Sequence, residues 1–137
     1  ELERKPVHYL QSLVDQINCT VLLKGPCTYM GFTDGTVFFN FFPNDGMATG
    51  GVGDVLAGIL GGLLGQDPEL KENQPLVNRY ENFNKTVGLA VLIHSYAGHF
   101  AAEKFGVRPM SATSIIDSFS EAFKELDERI DKLVFNS

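Results

Sequence analysis

The stretch NDGMATGGVGDVLAG, residues 44–58, contains five glycines and then changes abruptly into helix-forming apolar residues. It follows a predicted strand and precedes a helix that we predict over Val52 to Leu64. The free N–H groups at the start of such a helix point at the loop, and their partial positive charge attracts an anion. Gly50, Gly51 and Gly53 lack β-carbons, which lets phosphate oxygens approach the backbone. The stretch therefore predicts a phosphate-binding loop.

Two well-known phosphate loops do not match this stretch. The motif GxxxxGK(S/T) fails because Gly51 is followed by Val52, so there is no lysine to reach the phosphates. The dinucleotide motif GxGxxG fails because Leu56 stands in the place of its last glycine. These motifs leave the class of nucleotide open.

Asp54 has two interpretations. A carboxylate in the first turn of a helix is favoured by the helix dipole and often serves only as a cap. Beside a phosphate site, however, a further negative charge repels the ligand. Asp54 is then more useful as a base that accepts the proton of a substrate hydroxyl while that hydroxyl attacks a phosphoryl group.

The remaining pattern predicts an α/β fold of mostly parallel strands plus one hairpin, packed with buried helices. Residues 20–24, TVLLK, form a short apolar run that is typical of a strand covered on both faces. Residues 28–33 and 36–42 are joined by Asp34 and Gly35, which favour a hairpin turn. The run FFNFF, residues 38–42, predicts a core strand buried on both sides.

Helical spacing of apolar residues predicts an amphipathic helix over residues 6–18 and a buried helix over residues 85–104, ended by Gly106. The helix over residues 52–64 is polar nowhere after Asp54 and should also be buried. Residues 66–84 are polar and predict a surface loop. A last helix, capped by Ser111 or Thr113, has an apolar face at Ile115, Ile116, Phe119, Phe123, Leu126, Ile130 and Leu133.

Composition limits the class of protein. A chain of 137 residues with 44% apolar content supplies one core, so we expect a single domain over residues 1–137. The net charge of −6 argues against nucleic acid as a partner.

Cys19 and Cys27 lack metal-ligand spacing, which predicts buried reduced thiols and no metal site. No segment resembles a signal peptide or a membrane span, which predicts a cytoplasmic protein. The first residue is Glu1, which suggests that the chain begins inside a domain.

Three segments together resemble the nucleotide-dependent NAD(P)H-hydrate dehydratases of the ribokinase-like superfamily. They are ATGGVGDVLAG (48–58), VLLKGPCT (21–28) and AVLIHSYAGHFAAE (90–103), in the same order and spacing. The resemblance extends from about Pro6 to Leu133 and covers the C-terminal half of the family's domain.

The resemblance implies a coenzyme repair reaction in the cytoplasm. The family's substrate is NADH or NADPH that has gained water on its nicotinamide ring. ADP or ATP, with Mg²⁺, phosphorylates the new hydroxyl, and loss of phosphate restores the coenzyme. As a partner, the resemblance implies this small-molecule substrate. The lack of a long apolar span predicts no membrane partner. A half-domain would leave a sheet edge and apolar helix faces uncovered, so we expect homo-oligomers or association with the N-terminal half of the domain.

The resemblance also implies roles for particular residues. Asp54 matches the residue that contacts the hydrated coenzyme and acts as the catalytic base. The nucleotide-binding residues carried over are Lys24, Gly25, Pro26, Cys27, Thr28, Thr49, Gly50, Gly51 and Gly53. Val52 stands where the family usually has Ser or Thr, which removes one hydroxyl donor. A histidine of the family's N-terminal half has no counterpart here, and we expect structural roles for His94 and His99.

Two alternatives to the dehydratase are open. One is a small-molecule kinase of the ribokinase type, whose helix start also uses an aspartate as base. The other is a nucleotide-binding fragment without catalytic activity. The residues MATGG before VGD favour the dehydratase.

Overall fold

A computed structural model describes residues 5–70 and 75–135 of the chain. It contains three strands and five α-helices within these ranges, together with single 3₁₀ turns at Asp45–Ala48 and Pro68–Leu70. In chain order the elements are α1 (Pro6–Ile17), β1 (Val21–Leu23), β2 (Cys27–Gly31), β3 (Val37–Phe41), α2 (Val52–Gln66), α3 (Leu76–Phe105), α4 (Ala112–Ile116) and α5 (Phe119–Phe135).

The three strands form an antiparallel sheet in the order β1-β2-β3. The predicted hairpin is confirmed: Gly35 has a φ of 85°, and the Asp34 carboxylate accepts a hydrogen bond from the Thr36 N–H at 2.9 Å. The predicted α/β class is also confirmed, but the prediction of mostly parallel strands is wrong for the described sheet. Only residues 24–26 separate β1 from β2, and a parallel pair needs a much longer crossover.

Helix α1 packs on one face of this sheet, against β1 and β2. Its buried residues Leu10 and Val14 lie over Gly31, where a β-carbon would be 2.8 Å from Leu10 Cγ. Phe39 and Phe41 of β3 are 71% and 68% exposed. The prediction that FFNFF is buried on both sides is therefore wrong, because the contacts of α1 are with β1 and β2.

The other face of the sheet contacts α2 and α3 through one hydrophobic cluster, and a second cluster joins α2 and α3 to the C-terminal helices. The first contains Met30, Phe32, Leu56, Val87 and Val91. The second contains Val52, Val55, Ile93, Ala97, Ala101, Met110, Ile115, Ala122 and Leu126.

Helix α2 is less buried than its composition predicts. Its fully buried residues are Val52, Val55 and Leu56, whereas Ala57 and Gly58 are exposed. The helix therefore packs against the core through one face, and small residues such as Ala57 and Gly58 lie on the exposed face.

Helix α3 starts at Leu76, nine positions before the predicted start at Lys85. The predicted loop over residues 66–84 is therefore wrong from Leu76 onward, while residues 71–74 of that loop lie outside the described residues. Pro75 occupies the position before the helix, and Glu81 pairs with Lys85 at 2.6 Å, one turn apart. The polar composition reflects an exposed helix surface. The predicted stop at Gly106 is confirmed.

The C-terminal helix is interrupted. Ser111 caps α4 as predicted, but the helix ends at Ile116 and α5 starts at Phe119. Ser118 is fully buried at this break and donates to the Ser114 carbonyl at 2.9 Å. The predicted apolar face is only partly buried: Ile115 and Leu126 are in the core, while Ile116, Phe123 and Ile130 are exposed. The Leu133 side chain lies outside the described residues.

Cys19 is exposed and Cys27 is half-buried, and both are free thiols. The prediction of buried cysteines is wrong because Cys19 follows the end of α1 and Cys27 opens β2. Among the described residues, no helix has the length and apolarity needed to cross a membrane.

We expect Gly31→Val to destabilise the fold by about 1–3 kcal/mol, because the added side chain overpacks the contact with Leu10 and Val14. Urea unfolding would measure the loss. Gly65→Ala is the control, since a β-carbon there would have no atom within 4 Å. Equal stability of the two variants would contradict the packing described for α1.

Candidate functional site

The first side of the candidate site is formed by Lys24, Gly25 and Pro26, which connect β1 to β2, and by Thr28 near the start of β2. Lys24, Gly25 and Pro26 are exposed, and Thr28 is half-buried. The Lys24 ammonium reaches toward α2, where its nitrogen lies 3.9 Å from the position that a β-carbon on Gly53 would occupy. The segment therefore brings a positive charge to the start of α2.

The glycine loop forms the second side. It starts with the 3₁₀ turn Asp45–Ala48, in which the Gly46 N–H donates to the Asn44 side-chain oxygen at 3.1 Å. The amide nitrogen of Asn44 donates in turn to the Gly98 carbonyl at 2.9 Å, which ties the loop to α3. Gly51 then adopts a φ of 83° before α2 begins at Val52. A left-handed conformation of this kind favours glycine.

The start of α2 has no side-chain cap. The first N–H groups of any helix lack partners within the helix. The Val52 N–H donates to the Thr49 carbonyl at 3.4 Å, so the next N–H groups of the turn, from Gly53 and Asp54, are the ones that a ligand could approach. Asp54 lies in this first turn and is exposed. Its alternative interpretation as a cap is not supported, because no side-chain hydrogen bond caps α2 among the residues that the structure describes.

A cleft of about 360 Å³ lies between these segments and α3. Four of the predicted nucleotide-binding residues line it: Lys24, Gly25, Pro26 and Thr28. The other walls come from residues 42–45, 47 and 48 and from His94 and Ser95 of α3. The remaining predicted site residues do not line the cleft: Cys27, Thr49, Gly50, Gly51, Gly53 and Asp54.

Val52 is the residue for which the resemblance implies the loss of a hydroxyl donor. Its side chain is 1% exposed and belongs to the hydrophobic cluster of α2 and α3. Valine therefore fits the apolar surroundings that this structure gives the position.

His94 is buried at the bottom of the site, where it is 3% exposed. Its Nε2 lies 3.0 Å from the carbonyl oxygen of Val52, the first residue of α2, and donates to it. Burial lowers the pKa of His94 to about 4; the bond to Val52 acts in the opposite direction, and the charge of Lys24 adds to the lowering. His94 is therefore neutral at pH 7. His99, five positions later, is exposed and lies 3.4 Å from a Glu103 oxygen.

Sequence reasoning did not place Asn44, Ser95 or His94 at the site. Ser95 accepts a hydrogen bond from the Asn40 amide at 2.7 Å and donates to the Val91 carbonyl at 2.9 Å, so its hydroxyl is already used within the fold. The sequence carried a signal for Asn44, because asparagine before a turn commonly accepts a backbone hydrogen bond. His94 and Ser95 carried no local signal, since their contacts are 42 and 55 residues away in sequence.

A larger cleft of about 510 Å³ lies elsewhere, between the end of α1 and the start of α3. Its lining includes Cys19, Arg79, Tyr80 and Phe83, and none of the predicted site residues. In the described ranges, no three His, Cys, Asp or Glu side chains are grouped so as to hold a metal ion. Of the two clefts, the smaller one is lined by Lys24, whose ammonium also lies near Gly53 in the first turn of α2.

A family model described as NAD(P)H-hydrate dehydratase matches residues 1–121. Among curated proteins, the chain is similar to the bifunctional NAD(P)H-hydrate repair enzyme Nnr of Moorella thermoacetica, with 36% identity over 114 residues. It is also similar to the ADP-dependent (S)-NAD(P)H-hydrate dehydratase of Lactiplantibacillus plantarum, with 33% identity over 97 residues. These matches cover 83% and 70% of the chain but only 19% and 30% of the two relatives.

A solved structure is similar over most of the chain. It is the ADP/ATP-dependent NAD(P)H-hydrate dehydratase of Bacillus subtilis, co-crystallised with ATP and Mg²⁺. The TM-score is 0.74 at 25% identity, over 91% of this chain and 40% of that one. The chain therefore spans less than half the length of each of these relatives, and its fold matches part of a longer chain.

The low pKa of His94 predicts a loss of stability in acid. The pKa is 6.5 in the unfolded chain and about 4 in the folded one, so the unfolded state takes up the proton first as the pH falls. Stability is therefore lost from about pH 6.5 down to about pH 4, by up to roughly 3 kcal/mol. His94→Gln cannot titrate and should lose less stability than the wild type between pH 7 and pH 4.5. Urea unfolding at the two pH values measures the difference, and equal losses would contradict the buried neutral histidine.

Proposed function

The chain belongs to the NAD(P)H-hydrate dehydratase family, and on this premise we propose that it supplies the nucleotide-binding part of an enzyme that repairs hydrated NADH and NADPH. In this reaction ADP or ATP phosphorylates the ring hydroxyl of the hydrated coenzyme, and loss of phosphate restores the double bond. The observation that carries the proposal is the position of the Lys24 ammonium. It lies near Gly53 in the first turn of α2, which has no side-chain cap, and Lys24 lines the neighbouring cleft.

The nucleotide would lie along the cleft with its phosphates at the start of α2. Lys24, Gly25, Pro26 and Thr28 line the cleft, and Cys27 lies among them in sequence. Thr49, Gly50, Gly51 and Gly53 lead into the first turn of α2, where backbone N–H groups can donate to phosphate oxygens. A charged donor strengthens such hydrogen bonds, and Lys24 provides one. We assign these nine residues to nucleotide binding.

Asp54 would act as the base and contact the hydrated coenzyme. Its exposed carboxylate lies in the first turn of α2, next to the proposed phosphate position. As the ring hydroxyl attacks the terminal phosphorus, its proton passes to Asp54 and the shortened nucleotide leaves. Phosphate then departs with the electron pair of the C–O bond, and loss of a proton from the neighbouring carbon completes the double bond. A positioned carboxylate of this kind typically contributes about 10²–10⁴-fold to the rate.

Mg²⁺ fits this site as a companion of the nucleotide. It prefers oxygen ligands and is usually held by one or two carboxylates together with substrate phosphates and water. The described residues offer no cluster of three metal-ligating side chains, so phosphate oxygens would supply most of the ligands. Asp45, which lines the cleft, is available as a protein ligand. When bound, the ion would neutralise charge on the transferred phosphoryl group.

An assay of the intact protein that carries this chain separates the dehydratase from the two alternatives. With hydrated NADH and ADP, a dehydratase releases free phosphate and restores the absorbance of the reduced coenzyme. A kinase of the ribokinase type would instead leave a stable phosphorylated product. A binding fragment would be stabilised against heat by ADP or AMP, with no turnover of the hydrate.

We expect Asp54→Asn to lower turnover by at least about 100-fold, because an amide cannot accept the hydroxyl proton. The affinity for AMP should stay within about threefold, since the backbone N–H groups at the start of α2 are unchanged. Asp15→Asn, in an exposed position of α1, is the control for turnover. An Asp54→Asn variant that kept most of its activity would remove Asp54 from the mechanism.

We expect Gly53→Val to weaken ADP binding by at least about tenfold, because the side chain blocks approach to the backbone and occupies space beside the Lys24 ammonium. Calorimetry measures the affinity. Gly58→Val in the same helix is the matched control, since a β-carbon at Gly58 would have no atom within 4 Å. Unchanged ADP affinity in Gly53→Val would show that phosphate does not approach this turn.

A further inference from the structure

We propose that His94 is a positioning residue for the phosphate site: its hydrogen bond to the Val52 carbonyl holds the first turn of α2 in the orientation that receives the nucleotide. This inference rests on the proposed function. It assigns a task to a residue that lies on α3, outside the glycine loop and the segment from Lys24 to Thr28.

His94 forms a direct hydrogen bond to the start of α2. His94 Nε2 donates to the carbonyl of Val52 across 3.0 Å, and Val52 is the first residue of α2. That helix start has no side-chain cap of its own. A bond from a neighbouring helix therefore fixes a turn whose N–H groups must remain free for the ligand.

His94 also forms part of the cleft wall. It is 3% exposed, yet it lines the cleft together with Lys24. The ammonium of Lys24 approaches the same turn of α2 near Gly53. His94 is thus hydrogen-bonded to Val52, and the Lys24 ammonium lies near the next residue, Gly53, which phosphate would approach.

His94 is neutral at pH 7 in the folded protein. The neutral ring donates through Nε2, and burial keeps it neutral. A histidine in this state provides a directed donor without adding a second cation beside Lys24. A glutamine in place of His94 could provide the same donor through its side-chain amide, whereas a leucine would fill similar space without one.

The experiment measures ADP affinity by calorimetry and thermal stability for His94→Leu and His94→Gln in the intact protein. We expect His94→Leu to weaken ADP binding by about tenfold, comparable to the loss of one buried hydrogen bond. His94→Gln should bind within about threefold of the wild type, because its amide restores the donor. In turnover assays, the KM for ADP should rise in His94→Leu while kcat changes less.

The positioning role of His94 and the proposed function can fail separately in this experiment. His8→Leu, at an exposed position of α1, should leave ADP affinity unchanged. If His94→Leu fails to fold, His94→Asn replaces it, because the shorter amide does not reach the carbonyl and should lose affinity in the same way. Wild-type affinity in His94→Leu, or in His94→Asn where that variant replaces it, would overturn the positioning role. Equal losses in His94→Gln and His94→Leu would also overturn it. A wild-type protein that binds no ADP would overturn the proposed function and, with it, this inference.

Discussion

The start of α2 has to be held in place without a cap, and the rest of the candidate site depends on this constraint. A capping side chain would occupy the N–H groups that a phosphate needs. The fold fixes the turn from outside instead: Gly51 takes a left-handed conformation, Val52 anchors in the core, and His94 binds the Val52 carbonyl. The glycine loop itself is tied to α3 through Asn44 and Gly98. Helix α3 is therefore as important for the site as the glycine sequence.

The sequence was sufficient where the structural signal is local. The turn at Asp34 and Gly35, the cap at Ser111 and the end of α3 at Gly106 are each determined by the φ preference or hydrogen-bonding capacity of one or two residues. The glycine loop and the start of α2 at Val52 were recognisable for the same reason, since glycine residues before an apolar helix are a short and continuous pattern. Phosphate binding by this loop stays a prediction. The family resemblance used that pattern together with two further segments, and the family is confirmed by the comparisons.

The sequence was insufficient where the outcome depends on tertiary contacts. The apolar run of β1 predicts burial but not the direction of its neighbour, which the short connection at Gly25 and Pro26 decides. The polar residues at the start of α3 resemble a loop until their helical surface is seen. The contact between His94 and Val52 joins residues 42 positions apart, and no period in the sequence predicts it. The assignment of individual site residues stays a prediction for the same reason.

Strand β3 lies at one edge of the described sheet and exposes two phenyl rings, Phe39 and Phe41, on the same side. An open edge with apolar side chains is a template on which other chains can add strands. The tendency of this chain to self-associate in solution should therefore depend more on the exposed rings of Phe39 and Phe41 than on the net charge of −6. Replacing either Phe39 or Phe41 with lysine is the simplest way to keep concentrated samples monodisperse.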